Sequence, residues 1–329
     1  MVIDQKHGWG EVISVFRSFL RDSLKISFTL FKIMVPISIG VKIIKELGGI
    51  EYLAVMLKPL MTIVGLPGSM GLVWATAMMT NLYGGAIVFI SLIRESPLTV
   101  AQVTVLTSMM LVAHNLPIEL KIAQEAGVRI WAMGLLRLGG AFLFGFILNL
   151  IFTWGEWLQG TRTLSWTFPQ KKASLGVWAL GELRNLVMIF LIIMSLLAVM
   201  KILEKIGIMT LLTRMLHPVL VLLGIGKGAT PITIIGMTLG IAYGGGLIIQ
   251  GARSGAVYKR DIFFSMALMG LSHALIEDTL LMMLLGGHIS GVLLGRVLFS
   301  LLVIYLLVKA VSRLPEALFD RFISRPGLT

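Results

Sequence analysis

Eight long apolar segments, separated by short polar turns, dominate the hydrophobic pattern of the chain. Each is long enough, at about 20 residues, to cross the hydrocarbon core of a bilayer as a helix. The segments are 24–44, 71–93, 97–116, 130–153, 183–203, 230–252, 261–285 and 290–311. The pattern therefore predicts an all-α integral membrane protein.

Two shorter apolar segments, 52–64 and 209–223, leave the number of spans open. A helix of about 14 residues reaches roughly 20 Å, which is short of a hydrocarbon core of about 30 Å. Each segment could be re-entrant, interfacial or a short span. The chain therefore has eight to ten spans, or four to five in each half.

The sequence repeats itself at a shift of 159 or 160 residues. The rarer residues that match are His114 with His273, Glu119 with Asp278, Arg137 with Arg296, and Tyr83-Gly84-Gly85 with Tyr243-Gly244-Gly245. Such a constant shift indicates two copies of one unit. Five spans per copy would make the copies inverted in the membrane and four would make them parallel, and the basic loops of the second half mildly favour inverted repeats.

Polar segments divide the chain around these two copies. Residues 9–25 have the apolar and polar periodicity of an amphipathic helix, with an apolar stripe suited to the membrane interface. The stripe comprises Val12, Ile13, Phe16, Phe19 and Leu20. The predicted divisions are an N-terminal interfacial helix (1–23), a first repeat (24–153), a polar Trp-rich linker (154–182), a second repeat (183–312) and a basic C-terminal tail (313–329).

Composition agrees with a membrane protein and narrows its chemistry. Hydrophobic residues make up 57% of the chain and charged residues 13%, whereas soluble proteins carry about 25% charged residues. The net charge of +12 is ascribed to loops that fix topology and meet anionic lipid, and not to nucleic-acid binding. With no Cys, the chain has no disulfide and no thiolate site.

The motifs TNLYGGA (80–86) and GIAYGGG (240–246) place paired glycines in the middle of apolar segments. Such glycines allow a helix to break, and a break at membrane depth is tolerated where protein, water or a ligand satisfies the freed backbone groups. The alternative is close packing of two helices through small residues. Because the motif occurs in both copies with a Tyr, a solute-facing break is the favoured interpretation.

The motifs AHNLPIEL (113–120) and SHALIEDT (272–279) place ionisable groups inside apolar segments. Buried charges in a membrane usually mark an ion or substrate path, although a His–carboxylate pair that locks two helices is the competing interpretation. The clusters could coordinate a cation, relay protons or hold a polar solute. Arg137 and Arg296 also lie within spans, and we expect each to pair with an intramembrane carboxylate.

These motifs, together with FKIMVP (31–36) and KPLMTIVGLPG (58–68), give the chain a family resemblance. It resembles the "gate" or nucleoside-recognition membrane proteins, whose modules are similar to those of concentrative nucleoside transporters, the membrane part of ferrous iron transporters and spore maturation membrane proteins. The resemblance implies a transporter-like helical fold with pseudo-symmetric halves. The chain lacks the GTPase domain of the iron transporters, which argues against iron transport by their mechanism.

We therefore expect a multi-pass transporter or permease of the cell (inner, cytoplasmic) membrane. It would move a small polar solute, either a nucleoside-like compound or an ion, by alternating access coupled to H⁺ or another cation. The alternative is a non-transporting assembly or sporulation-type factor that reuses the fold.

Expected partners are membrane lipid and the solute, without nucleic acid, and a homo-oligomer is left open. We expect no enzymatic activity, catalytic residue, cofactor or dedicated metal site, since HExxH spacing is lacking. The residues expected to contact solute are Asn81, Tyr83, Gly84, Gly85, His114, Asn115, Glu119, Tyr243, Gly244, Gly245, Gln250, His273, Glu277 and Asp278.

Overall fold

The computed structural model describes residues 5–93, 97–162 and 175–325, and this part of the chain is almost entirely helical. The first half contains α1 (Gln5–Glu46), α2 (Gly49–Ile63), α3 (Met70–Met79), α4 (Leu82–Leu92), α5 (Val100–Val112), α6 (Leu116–Glu125) and α7 (Ile130–Trp154). The second half contains α8 (Leu175–Lys205), α9 (Ile208–Leu222), α10 (Thr230–Leu239), α11 (Ile241–Arg253), α12 (Lys259–Leu271), α13 (Glu277–Leu284) and α14 (Arg296–Val311). The same seven helices in the same order confirm the predicted all-α fold built from two repeats.

Four short elements complete the described part of the chain. A single π-helical turn, Ser290–Gly295, leads into α14, and α15 (Glu316–Phe322) follows it. The strands β1 (Leu98–Thr99) and β2 (Thr161–Arg162) pair antiparallel beside the N-terminus of α5.

Among the described residues, four helical stretches are long and apolar enough to cross a membrane. They are Val100–Glu125, Ile130–Trp154, Leu175–Lys205 and Ser290–Val311. Val100–Glu125 is largely buried inside the protein, whereas the outward surfaces of the other three are apolar and exposed, as expected where lipid is the solvent. The chain is therefore a helical membrane protein.

The segments 71–93 and 230–252, predicted as single spans, are hairpins of two short helices. A Cβ at Gly85 of α4 would lie 2.7 Å from the Cβ of Ala77 in α3, and a Cβ at Gly236 of α10 would lie 3.3 Å from the Cα of Gly244 in α11. Residues eight apart touch only if the chain folds back on itself, since eight residues of helix rise about 12 Å. The glycines permit this close approach.

Both hairpins turn immediately before the YGG motifs, which confirms the predicted helix breaks. The first turn lies at Thr80 and Asn81, where the Asn81 side chain accepts a hydrogen bond from the Gly84 N–H at 2.9 Å and caps α4. The second turn is made by Gly240, whose φ of 103° suits glycine. Each arm of 10 to 13 residues is about 15–20 Å long, too short to cross the bilayer alone.

A second pair of breaks separates α5 from α6 and α12 from α13. Residues 113–115 and 272–276 interrupt these helices, and Asn115 (φ 50°) and Ala274 (φ 44°) take left-handed backbone conformations. Each break is tied to a hairpin: the Asn115 N–H donates to the Ala77 carbonyl at 2.9 Å, and the Leu275 N–H donates to the Met237 carbonyl at 3.0 Å. Each half thus joins the end of a hairpin arm to the break in a spanning helix.

The short apolar segments form the matched helices α2 and α9, each of 15 residues. Left-handed Gly48 and Gly207 precede them, and Gly65 and Gly224 follow them in the same conformation. Each helix is about 22 Å long, which is short of a hydrocarbon core of about 30 Å.

Helices lie across or within three of the predicted divisions. Helix α1 is continuous from Gln5 to Glu46 and has no boundary at residue 23, while the stripe side chains Val12, Ile13, Phe16 and Phe19 lie outside the described residues. Helix α8 begins at Leu175, within the segment predicted as linker, and residues 163–174 of that segment are not described. The predicted tail contains α15, which packs back through the buried Phe319 against Phe263 of α12.

The two halves pack against each other in a reciprocal manner. Helix α1 packs against its counterpart α8, α5 packs against the π-helical turn before α14, and α12 packs against α7. Equivalent elements that meet each other indicate a pseudo-two-fold axis between the halves. The same axis brings the two breaks together at the centre of the molecule.

Candidate functional site

Two matched histidines, His114 and His273, face each other where the two halves meet. Their Nε2 atoms are 3.2 Å apart and their rings are tilted by 43° at a centroid distance of 4.9 Å. Both side chains are almost completely buried. Contact between equivalent residues of two copies places this pair on the pseudo-two-fold axis.

A backbone carbonyl beside each histidine determines which ring nitrogen carries the proton. His114 Nδ1 lies 2.9 Å from the Met110 carbonyl, and His273 Nδ1 lies 2.7 Å from the Met269 carbonyl. A carbonyl only accepts hydrogen bonds, so each Nδ1 carries the proton and donates it. In a neutral ring the lone pair is then on Nε2. The two lone pairs therefore point into the same space.

One carboxylate from each half approaches the histidine pair. Glu119 Oε1 is 3.6 Å from His114 Nε2 and 3.5 Å from His273 Nε2, and Asp278 Oδ2 is 4.0 Å and 3.9 Å from the same atoms. Both residues lie in the first turn of their helices, α6 and α13. We call His114, His273, Glu119 and Asp278 the central cluster. Its inward-facing atoms are all hydrogen-bond acceptors.

Two fully buried arginines flank the central cluster, but their contacts differ. Arg137 donates from Nη1 to Glu119 Oε2 and from Nε to the Val112 carbonyl at 3.0 Å. Arg296 donates from Nη2 to Thr279 Oγ1 at 3.2 Å, while its Nε and Nη1 find no partner in the described part of the chain. The expected arginine–carboxylate pair is thus present in the first half only.

The break in the second half carries backbone strain. Ala274 adopts a left-handed conformation (φ 44°), which costs a residue with a Cβ roughly 1–2 kcal/mol. The equivalent Asn115 (φ 50°) tolerates this region better. Strain of this kind often persists at functional sites because the surrounding structure enforces it.

The first YGG motif adjoins the central cluster. Tyr83 is half-buried, and its hydroxyl lies within electrostatic range of the Glu277 and Asp278 carboxyls. The structure therefore brings the Tyr of the first half to the acidic segment of the second half. Glu277, half-buried beside Asp278, belongs to the surroundings of the cluster.

The glycines of both motifs lie in close helix contacts. A Cβ at Gly85 would lie 2.7 Å from Met110 Cε, and a Cβ at Gly244 would lie 2.7 Å from Met269 Sδ. Gly84 and Gly245 are likewise buried. Their positions agree with the packing interpretation of these glycines.

Two expected solute contacts lie away from the central cluster. Tyr243 is 68% exposed on α11, and Gln250 is exposed two turns further along the same helix. In this conformation the structure does not bring either residue to the histidines. Sequence reasoning also missed Thr279, whose hydroxyl holds Arg296, because nothing in the sequence distinguishes it from other threonines in apolar helices.

Comparison with known proteins supports the membrane class. The chain is 28% identical over 296 residues to a Bacillus subtilis (strain 168) protein with the name "Uncharacterized membrane protein YvoD", a match that spans 88% of this chain and 92% of the relative. No family model and no solved structure matches the chain. The gate-family assignment therefore rests on the motif resemblance alone.

Proposed function

We propose that the protein is a secondary transporter that moves a small polar solute or ion across the cytoplasmic membrane. The observation that carries this proposal is the meeting of two helix breaks, one from each half, at a buried cluster of titratable groups. Discontinuous helices that meet between repeats form the binding sites of many repeat-built transporters. Ionisable groups at such depth are costly and imply a role for an ion or substrate.

The unequal arginines support alternating access. Arg137 pairs with Glu119 in the first half, whereas Arg296 leaves two nitrogens without partners and does not pair with Asp278. In a protein with pseudo-symmetric halves, the opposite state exchanges the conformations of the two copies. We infer that Arg296 pairs with Asp278 in that state while Arg137 releases Glu119.

Access to the central cluster is also unequal. The Asp278 side chain is 16% exposed, whereas the Glu119 side chain is 3% exposed. A site reachable from one direction at a time is the basic requirement of a transporter. Asp278, near Tyr83, is therefore the more accessible of the two carboxylates in this conformation.

The character of the cluster favours a cation as cargo or coupling ion. Four acceptor groups point inward, and a cation satisfies all of them at once. The gate-family resemblance keeps a nucleoside-like compound as the second candidate cargo, with the cation as its coupling ion. No nucleophile–base pair is found among the described residues that surround the cluster, so we do not propose an enzyme.

Uptake into proteoliposomes tests the proposal. Purified protein would be reconstituted and offered labelled nucleosides, alkali cations and divalent cations, with a pH gradient of either sign. We expect at least one solute to accumulate above protein-free vesicles, and Asp278→Asn to abolish this accumulation. Glu125→Gln, which changes an exposed carboxylate bound to Lys121 at 2.9 Å, is the matched control and should transport normally.

The close packing of the YGG glycines supports one alternative, a non-transporting membrane assembly factor. In that case the glycines shape the hairpins and the buried charges only hold the halves together. The alternative is favoured if no solute in the panel moves while wild-type protein is folded and the Asp278→Asn variant loses stability. Accumulation of any solute that depends on Asp278 would exclude it.

A further inference from the structure

The central cluster has the donors and the spacing of a metal centre. We propose that His114 Nε2, His273 Nε2, Glu119 Oε1 and Asp278 Oδ2 bind one divalent transition-metal ion, with Zn²⁺ as the best-fitting probe. This inference rests on the proposed function only for the role of the ion as cargo or coupling ion. The binding itself follows from the geometry below.

The orientation of the two imidazoles favours a cation between them. Because both Nδ1 atoms donate to backbone carbonyls, two Nε2 lone pairs face each other at 3.2 Å. Two acceptors cannot hydrogen-bond to each other, and their close approach in a buried site is unfavourable. A cation between them removes the conflict, because neutral imidazole nitrogen is a metal ligand of the kind Zn²⁺ prefers.

The space between the ligand atoms has the size that a metal ion needs. Zn–N and Zn–O bonds of about 2.0–2.2 Å in a tetrahedron separate neighbouring ligand atoms by roughly 3.3–3.6 Å. The histidine pair is 3.2 Å apart, and Glu119 Oε1 is 3.5 Å and 3.6 Å from the two nitrogens. All three atoms lie within 4.8 Å of one another. Asp278 Oδ2 lies 3.9 Å and 4.0 Å from the two nitrogens but outside this group of three, so it has to move toward Glu119 to become the fourth ligand.

Neighbouring groups hold three of the four ligands in place. Metal-binding histidines usually donate their other N–H to a carbonyl or carboxylate, which fixes the ring. Both histidines do so here. Arg137 holds Glu119 Oε2 and thereby leaves Oε1 directed at the cluster. Three of the four ligands are thus positioned by contacts that do not involve the metal.

Donor type favours a transition metal over other cations. The four ligand atoms are two imidazole nitrogens and two carboxylate oxygens. Mg²⁺ and Ca²⁺ prefer all-oxygen sites, whereas paired imidazoles suit Zn²⁺ and its neighbours. The competing occupant is a proton shared between the two Nε2 atoms.

Equilibrium metal binding to the purified full chain tests the site. Metal-stripped protein in detergent would be titrated with Zn²⁺ against a chromogenic chelator. We expect one ion per chain, no competition from excess Mg²⁺ or Ca²⁺, and a loss of affinity in both His114→Asn and His273→Asn that exceeds the about 10- to 100-fold caused by losing a supporting group. His217→Asn, which changes an exposed histidine of α9, should bind as wild type.

A second measurement avoids any variant that fails to fold. Co²⁺ bound to wild-type protein should show the intense visible bands of a four-coordinate ion and should be displaced by Zn²⁺ at one equivalent. The metal site is overturned if Zn²⁺ does not bind stoichiometrically, or if both histidine variants keep the wild-type affinity. A proton shared between the two Nε2 atoms would then be the remaining interpretation. Metal binding without uptake of any solute would instead overturn the transporter proposal and leave the metal site standing.

Discussion

The buried pair between Arg137 and Glu119 provides a sharp test of the electrostatics of the centre. The Arg137 side chain is 0% exposed and that of Glu119 is 3% exposed. Glu119→Gln keeps the shape of the side chain but leaves the guanidinium charge without its counterion. Removing one partner of a buried ion pair costs about 3–5 kcal/mol, and we expect the lower part of this range because the glutamine oxygen still accepts a hydrogen bond.

Unfolding in mixed micelles by SDS titration, followed through tryptophan fluorescence, measures this loss. Trp74 in α3 is buried and should report the transition. Glu125→Gln, at an exposed carboxylate, should leave the midpoint unchanged. The double variant Glu119→Gln/Arg137→Met removes both charges and should recover much of the stability. Exposed ion pairs contribute up to about 1 kcal/mol to the free energy of unfolding. If Glu119→Gln lowered that free energy by no more than this, the reasoning about a buried pair would be refuted.

Four further predictions use the same unfolding assay. Gly85→Ala should destabilise the protein by about 1–3 kcal/mol, because a methyl group there would meet side chains of α3 and α5 at 2.7 Å. Gly139→Ala on α7, with nothing within 4 Å, should instead stabilise it by about 0.5–1 kcal/mol, and a loss there would contradict the packing of α7. Thr99→Ala removes the cap that accepts from the Gln102 N–H at 3.2 Å and should cost about 0.5–2 kcal/mol. Asn81→Ala should cost a similar amount, and an unchanged midpoint would mean that α4 has no need of its cap.

The lengths of the apolar segments located the helices but could not show which segments form hairpins. Two apolar arms of about 10 residues have the same length and composition as one span of about 20 residues. Segments 71–93 and 230–252 therefore look like spans in the sequence, and only the glycines of the YGG motifs point to a close return. Whether such a glycine faces solute or another helix depends on tertiary packing.

The repeat register paired four residues that the structure brings together. It aligned His114 with His273 and Glu119 with Asp278, and these four residues do meet. Their direct contact could not be predicted, since a shift along the sequence does not say where the axis between two copies passes. The same limit applies to Tyr83 and Tyr243, which occupy matched positions but unequal surroundings, one half-buried and the other exposed.

The central claim is that the cluster between the halves opens to each side of the membrane in turn, and one accessibility measurement tests it most directly. The chain has no Cys, so Tyr83→Cys places a single thiol beside the cluster. A membrane-impermeant thiol reagent would be applied to right-side-out and inside-out vesicles. We expect labelling from both sides, with the balance shifted by Zn²⁺. Labelling from one side alone under every condition would contradict the account.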